Sequence, residues 1–306
     1  MKILFAGSPG SAAQILQNLY SQDCEIVGVI SQPDRRSKRG GAREPSAVSA
    51  EALKLGIPLF TPALIDDEFY KIISSVECDF LVVSAYGKIL PDWLLAHPKV
   101  APINIHFSLL PKYRGASPIQ ACLLNGDQET GISIMQMSSG LDEGPIYSKH
   151  SFEIPALCNR NDLEQHLTNL CNRKLFKTLL NILNFKKNAL EQDHDSASYC
   201  SKISKASGEI IFLEERADVI FQKFQALSGW PGLFFRKNGL DIKIHGMSLQ
   251  PVKIDPDISG NFIFFENKLI VRTIDSMIVI THLQFPGKKT IMATDAANSY
   301  SDFFKD

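Results

Sequence analysis

Short apolar runs alternate with helical patterns through the first half of the chain. Four runs have the length of buried strands, at residues 3–6, 26–30, 80–84 and 103–106. Helical periodicity marks residues 9–20, 46–55 and 119–124. Strands that alternate with helices are joined by right-handed crossovers and pair in parallel. We therefore predict a Rossmann-like α/β domain with a mostly parallel sheet.

This domain lacks the fingerprint of a dinucleotide site. The first turn, Gly7-Ser8-Pro9-Gly10, does not have the G-x-G-x-x-G spacing, and no acidic residue ends the second strand where ribose binding requires one. NAD binding is therefore not expected.

Later segments complete the first domain and define a second. Strands over 132–137 and 146–154 and a helix over 161–183 extend the first domain to residue 185. The polar stretch 186–206 is predicted to be a surface linker. Residues 207–306 begin with a helix and continue with short alternating runs separated by Gly and Asn turns, which indicates a small antiparallel barrel. The helix covers 217–227, and the runs cover 233–236, 241–247, 261–265, 268–273 and 276–284.

Composition restricts the class of protein. The formal net charge of the 306 residues is −1, so a nucleic-acid partner requires a local basic surface. Six scattered cysteines have no metal-ligand spacing and indicate reduced thiols in a cytoplasmic protein. The apolar run at the N-terminus is shorter than the roughly 7 to 15 residues of a signal-peptide core. No apolar stretch approaches the roughly 20 residues of a membrane span, and we expect a soluble protein.

Residues 104–120, which read N-I-H-F-S-L-L-P-K-Y-R-G-A-S-P-I-Q, carry the strongest chemical signal. Asn104 and His106 are two residues apart on a predicted strand and face the same side. His106 lies near the C-terminal end of that strand, where open parallel sheets bind ligands. Asp142 follows in a glycine-containing turn. An amide, an imidazole and a carboxylate together suit acyl transfer, although each side chain has an ordinary structural alternative as a strand cap, core residue or turn residue.

The same string resembles the signature of the 10-formyltetrahydrofolate-dependent formyltransferases, and in particular of those that act on methionyl-tRNA. Further matches occur, in order, along nearly the whole chain, at residues 5–9, 32–35, 45–46, 85–91, 131–137, 199–205, 230–232 and 286–289. The resemblance implies that Asn104, His106 and Asp142 are catalytic and that the C-terminal domain is an OB-like barrel. It also implies a monomer whose partners are 10-formyltetrahydrofolate and initiator methionyl-tRNA, with no metal.

Each implied catalytic residue has a chemical role in formyl transfer. His106 is suited to accept the amine proton as general base. Asn104 is suited to donate an N–H to the oxyanion, and Asp142 to orient the imidazole and stabilise its charged form. No covalent enzyme intermediate is required.

The resemblance also implies where the folate lies. The residues concerned are Ser108, Leu109, Leu110, Pro111, Tyr86 and Gly87. A turn that ends in proline and exposes backbone amides can bind the edge of a heterocycle, while leucines form an apolar wall. Core packing is the alternative for these residues, and we expect it for at least one of the two leucines.

A basic loop and four lysines form the predicted tRNA surface. The loop residues are Arg35, Arg36, Lys38, Arg39 and Arg43, and the lysines are Lys202, Lys205, Lys288 and Lys289. In the family this loop reaches the end of the acceptor stem, and phosphate contacts supply most of the affinity. The alternative is that this basic run is an ordinary solvated loop. Trp230 is a core residue, a stacking platform or both.

Four positions depart from the family pattern, and other acceptors remain open. Phe107 occupies a place where a small residue is common, Gly10 and Ser11 replace an Asp-Phe pair, and Ser49 replaces a frequent lysine. The catalytic trio is shared with formyltransferases that act on glycinamide ribonucleotide or sugar nucleotides and with formyltetrahydrofolate hydrolases. Sugar-nucleotide transfer ranks second. A non-catalytic RNA-binding protein on this fold is the alternative of a different class.

Overall fold

The computed structural model describes residues 1–22, 24–36, 43–185, 188–249, 260–265 and 268–305. The chain divides into two compact units. The first consists of Met1–Pro118, Glu129–Ile154 and Glu164–Cys200, and the second of Ile119–Gln128, Pro155–Leu163 and Ser201–Asp306. The domain boundaries at residues 185 and 207 and the linker between them remain predictions.

A central sheet organises the first unit. Its strands are β1 (Lys2–Gly7), β2 (Glu25–Ile30), β5 (Leu59–Phe60), β6 (Phe80–Ser84), β7 (Ala101–His106), β9 (Glu129–Gln136) and β10 (Ile146–Glu153), in the order β10-β9-β7-β6-β1-β2-β5. The five strands from β7 to β5 pair in parallel, and β9 pairs in antiparallel with both of its neighbours, β7 and β10. The prediction of a mostly parallel α/β sheet is confirmed.

Two short strand pairs flank this sheet. The strand β3 (Arg35–Arg36) pairs with β4 (Arg43–Glu44) in antiparallel, and β8 (Arg114–Gly115) pairs with β11 (Tyr199–Cys200) in parallel. The second pair brings residues from the predicted linker beside the segment that follows β7.

Helices lie in several of the described connections between strands and after the last strand. They are α1 (Gly10–Ser21), α2 (Ala47–Lys54), α3 (Asp67–Ile73), α4 (Asp92–Leu95), α5 (Pro118–Leu124), α6 (Arg160–Phe185), α7 (Ala217–Ala226) and α8 (Ala293–Phe304). Caps fix two of their starts: the side chain of Ser46 accepts from Ser49 N, and that of Asp66 accepts from Phe69 N. Among the described residues, the helices are too short or too polar to span a bilayer.

Buried apolar side chains explain the position of β1 and β6 in the middle of the sheet. Ile3, Leu4 and Phe5 of β1 and Leu81 and Val82 of β6 are completely buried. Strands covered by helices on both faces read as continuous apolar runs. This is the pattern from which the sequence predicted them.

The second unit contains an antiparallel sheet. Its strands are β12 (Leu233–Lys237), β13 (Leu240–Ser248), β14 (Phe262–Phe265), β15 (Lys268–Arg272), β16 (Met277–Gln284) and β17 (Ile291–Met292). They follow the order β12-β13-β16-β15-β14, with β17 paired to β16. Phe304 of α8 packs against this sheet, with its ring centroid 5.5 Å from that of Phe262. The predicted antiparallel class of this domain is confirmed.

Candidate active site

The strand β7 presents Asn104 and His106 on one face of the sheet. Side chains two residues apart on a strand point the same way. Its neighbours fix its register: Asn104 lies opposite Val83 of β6 and Met135 of β9. Both predicted site residues of this strand therefore have a rigid, hydrogen-bonded backbone.

Asp142 reaches Asn104 through a returning loop. Because β9 is antiparallel to β7, Gln136 at the end of β9 pairs with Ile103 near the start of β7. The loop over residues 137–145 then brings the Asp142 carboxylate to Asn104, whose Nδ2 donates to Oδ1 at 3.1 Å. The backbone N–H of Gly115 donates to Oδ2 at 2.8 Å. Two donors from other segments thus hold the carboxylate.

His106 is oriented by a backbone carbonyl. Its Nε2 lies 2.8 Å from the carbonyl oxygen of Tyr113, and since a carbonyl only accepts, Nε2 carries the proton. Nδ1 faces Asp142 Oδ2 at 3.6 Å, which is an ion-pair distance and too long for a hydrogen bond. The imidazole is 5 % exposed. The structure therefore brings the predicted trio together, with Tyr113 as the closer orienting partner of the ring.

Unusual backbone conformations concentrate around this trio. Five described non-glycine residues have positive φ, and three of them are Ala85 after β6, Tyr113 and Asp142, with φ of 46°, 61° and 51°. Such conformations cost of the order of 1–3 kcal/mol each and persist where surrounding contacts impose them. Gly115, at φ 117°, has the carbonyl oxygen of Cys200 2.4 Å from where a Cβ would lie. The backbone beside the trio is tightly determined.

Sequence reasoning missed a buried polar network beside Asp142. Arg114 is 1 % exposed, and its Nε and Nη2 donate to Gln192 Oε1 at 3.1 and 2.8 Å. Its other contacts are Tyr199 Oη and His194 Nδ1, each at 3.3 Å. Gln192 in turn donates to the backbone carbonyl of Asp142 at 2.9 Å. Arg114 stood inside the family string, but the aperiodic polar stretch around Gln192 contained no sequence signal.

The side chain of Cys200 contacts the backbone that follows His106. Its Sγ is within 3.5 Å of the carbonyl oxygens of Tyr113 and Arg114 and accepts from Ser117 N at 3.4 Å. Burial raises the pKa of the Cys200 thiol. The protonated thiol is a hydrogen-bond donor here and is poorly suited to act as a nucleophile.

The predicted folate turn is more enclosed than expected. Ser108 and Leu110 are completely buried, whereas Leu109 and Pro111 are half-buried. Leu110 N donates to Ser133 Oγ at 3.0 Å, so this amide does not point to a ligand. Core packing therefore accounts for Leu110, and contact with a folate at this turn is left to Leu109 and Pro111.

Tyr86 and Gly87 follow β6 at the C-terminal edge of the sheet. The ring of Tyr86 is 2 % exposed and packs in the core with Leu4, Phe69 and Leu94. Its carbonyl oxygen accepts from Gln32 Nε2 at 2.7 Å. Any folate contact at this position would involve the backbone of residues 86–87, because the ring is enclosed.

The predicted tRNA residues fall into two groups. In the first unit, Arg35 and Arg36 form β3, and Arg43 in β4 is exposed. Lys38 and Arg39 lie outside the described residues. In the second unit, the exposed lysines are Lys202, Lys205, Lys288 and Lys289. Trp230 is 55 % exposed, which favours a surface role over a core role.

The departures from the family pattern occupy ordinary positions. Ser49 is 1 % exposed and accepts from Ser46 Oγ at 3.0 Å, so it presents no surface. Ser11 donates to Glu164 at 2.8 Å, and Gly10 starts α1. Phe107 is half-buried.

In the described part of the chain, His, Cys, Asp and Glu side chains form no group of three that would hold a metal ion.

Comparisons with known proteins agree with this geometry. Residues 1–179 match the family model described as formyl transferase, and residues 202–301 match its C-terminal domain. The methionyl-tRNA formyltransferase of Finegoldia magna is 36 % identical over 303 residues, which cover 98 % of this chain and 97 % of that protein.

Two solved structures share the fold. The N-formyltransferase of Helicobacter canadensis, in complex with folinic acid and dTDP-3-aminofucose, aligns with a TM-score of 0.67 at 20 % identity over 92 % of this chain and 98 % of that one. The methionyl-tRNA formyltransferase of Clostridium thermocellum aligns with a TM-score of 0.58 at 14 % identity, covering 82 % and 94 %.

Proposed function

The chain belongs to the formyl transferase family, and on that premise we propose that it transfers the formyl group of 10-formyltetrahydrofolate to the amino group of methionine on initiator methionyl-tRNA. The observation that carries the chemistry is the convergence of Asn104, His106 and Asp142 on one point. Similarity over almost the full length to a methionyl-tRNA formyltransferase supports the choice of acceptor.

The geometry supports Nδ1 of His106 as the general base. Nε2 is occupied as a donor to Tyr113, so Nδ1 accepts the proton as the methionyl amine attacks the formyl carbon. The new C–N bond forms as the tetrahedral oxyanion develops. Asp142, on the Nδ1 side of the ring, stabilises the charged imidazole.

Asn104 stabilises the intermediate. One of its N–H groups is used on Asp142, and the second has no protein partner among the described residues, so it is available to the oxyanion. The imidazolium then returns the proton to N10 of the folate as the C–N10 bond breaks. Protons and electrons balance without a covalent enzyme intermediate.

Groups within each unit suit the two substrates. Leu109 and Pro111 offer an apolar wall for the folate, and the backbone at residues 86–87 offers polar groups. Exposed cations such as Arg43, Lys202 and Lys288 are suited to tRNA phosphates.

A comparison of acceptors tests this proposal. Purified protein would be incubated with 10-formyltetrahydrofolate and, separately, initiator methionyl-tRNA, an amino-sugar nucleotide or buffer alone. We expect formyl incorporation into methionyl-tRNA only, and its loss in His106→Ala. Preferred formylation of the sugar nucleotide, or equal formate release without an acceptor, would overturn the proposal. No formyl transfer by the wild-type protein, together with RNA binding that is intact in Asn104→Ala and His106→Ala, would indicate a non-catalytic RNA-binding protein.

A further inference from the structure

We propose that Gln192 and Arg114 are positioning residues that hold Asp142 in place for formyl transfer. Neither side chain is one of the three proposed catalytic groups. They act on the backbone of the loop that carries Asp142. The inference rests on the proposed function, because its readout is the rate of that reaction.

The side-chain amide of Gln192 is completely hydrogen-bonded. Its two N–H groups reach the backbone carbonyls of Asp142 and Gly144 at 2.9 and 2.7 Å. Its Oε1 accepts from both Nε and Nη2 of Arg114. A rotated amide would face its NH₂ toward the guanidinium and its oxygen toward the two carbonyls. Arg114 therefore fixes the orientation in which Gln192 binds the loop.

The loop needs such a constraint. Asp142 has a φ of 51°, in the left-handed region that few non-glycine residues adopt. At Gly144, an added Cβ would lie 2.1 Å from the carbonyl oxygen of Gln136, so the backbone is packed closely against the end of β9. Gln192 bonds to the carbonyls on either side of residue 143. It thereby holds the left-handed turn from which the carboxylate reaches Gly115.

Arg114 acts on Asp142 from two directions. Through Gln192 it fixes the backbone of residues 142–144, and the next residue, Gly115, donates its N–H to the Asp142 carboxylate. Arg114 is 1 % exposed, and among the described residues the partners of its guanidinium are Gln192, Tyr199 and His194, with no carboxylate. A buried charge that depends on neutral acceptors is costly to misplace, which keeps this network in one arrangement.

Gln192→Glu tests the proposal with an isosteric change. The carboxylate retains acceptors for Arg114 but has no donors for the carbonyls of Asp142 and Gly144. We expect kcat for formyl-methionyl-tRNA synthesis to fall about 10- to 100-fold, the size of effect known for residues that orient the ligands of a metal site. KM for 10-formyltetrahydrofolate and for tRNA should change little. The matched control is Asn188→Asp, the same amide-to-acid change at an exposed position of the same segment, which should leave kcat unchanged.

A second set of variants covers a failure of Gln192→Glu to fold. Gln192→Met lacks donors and introduces no charge, and Arg114→Met removes the other partner. If both residues act through one contact, kcat of the double variant should match that of Gln192→Met and not the product of the two losses. Wild-type kcat in Gln192→Met, or a rise in KM with kcat retained, would overturn the inference. Inactive wild-type protein would instead reject the proposed function.

Discussion

The carbonyl oxygen of Tyr113 lies 2.8 Å from His106 Nε2, and this contact determines which nitrogen of the neutral imidazole has the lone pair. The ring donates through Nε2 and presents Nδ1 to Asp142. Tyr113 has a φ of 61°, so an unusual backbone conformation aims this carbonyl. The base and its orienting group are therefore set by the fold before a substrate binds.

His106→Gln separates these two properties of His106. The glutamine amide is able to donate to the Tyr113 carbonyl, as Nε2 does, but it has no basic nitrogen. We expect a folded protein whose single-turnover rate is lower by about 10²- to 10⁴-fold, the usual contribution of a general base. Rapid-quench measurement of formyl-methionyl-tRNA provides the rate, and circular dichroism checks the fold. A single-turnover rate above a tenth of the wild-type rate would show that His106 is not the general base.

Gly115→Ala should disrupt the backbone that holds Asp142. The new Cβ would lie 2.4 Å from the carbonyl oxygen of Cys200, at a φ of 117°. Overpacking against backbone and strain at this φ predict a loss of about 2 kcal/mol or more in the free energy of unfolding. Gly10→Ala is the matched control, because nothing lies within 4 Å of its added Cβ. Urea titrations in which the two variants are equally stable would contradict this account.

Tyr86→Phe tests the buried phenol. Within the described residues its hydroxyl has no hydrogen-bond partner, and burial raises the pKa of Tyr86 to about 12. The folded state disfavours the phenolate. The contribution of the neutral phenol to the free energy of unfolding is therefore complete below pH 10 and is lost as the pH rises toward 12. The variant should be unchanged or about 1 kcal/mol more stable at pH 7, and its advantage should grow above pH 10.

Thermal unfolding across this pH range measures the effect. Tyr70→Phe is the control, since that ring is 47 % exposed. Because the ring of Tyr86 is enclosed, KM for 10-formyltetrahydrofolate should also be unchanged in Tyr86→Phe. A large rise in that KM would mean that the ring contacts the folate.

Lys288→Ala combined with Lys289→Ala tests the proposed tRNA surface. Both lysines are exposed. We expect a higher KM for tRNA, with the slope of log KM against log salt reduced by up to roughly one per lysine, and an unchanged KM for the folate. The control combines Lys54→Ala with Lys99→Ala, which removes the same charge from lysines paired with Glu51 and Glu77. An equal effect in the control would show that net charge, and not the position of Lys288 and Lys289, determines the KM for tRNA.

The sequence predicted the parts of the molecule that depend on local pattern. Continuous apolar runs identified β1 and β6 because both faces of these strands are buried. The family comparison confirms the resemblance from which Asn104, His106 and Asp142 were chosen. The short helices α3 and α4 were not predicted, and the 4 residues of α4 are too few to display helical periodicity.

The contacts that complete the site depend on long-range packing. Gln192 lies 50 residues after Asp142 and 78 after Arg114. Its role follows from the pairing of β11 with β8, and two-residue strands carry no readable alternation. Likewise, Tyr113 has a positive φ that its residue type does not predict. Local sequence propensity therefore does not predict the contacts that surround Asn104, His106 and Asp142.

Asp142→Asn keeps the shape of the side chain and removes the charge that faces His106 Nδ1, so it isolates the electrostatic role of Asp142. The measurement is the single-turnover rate constant for formyl transfer from 10-formyltetrahydrofolate to initiator methionyl-tRNA. The account predicts a decrease of about 10²-fold or more in a normally folded protein. A rate constant close to that of the wild type would contradict it.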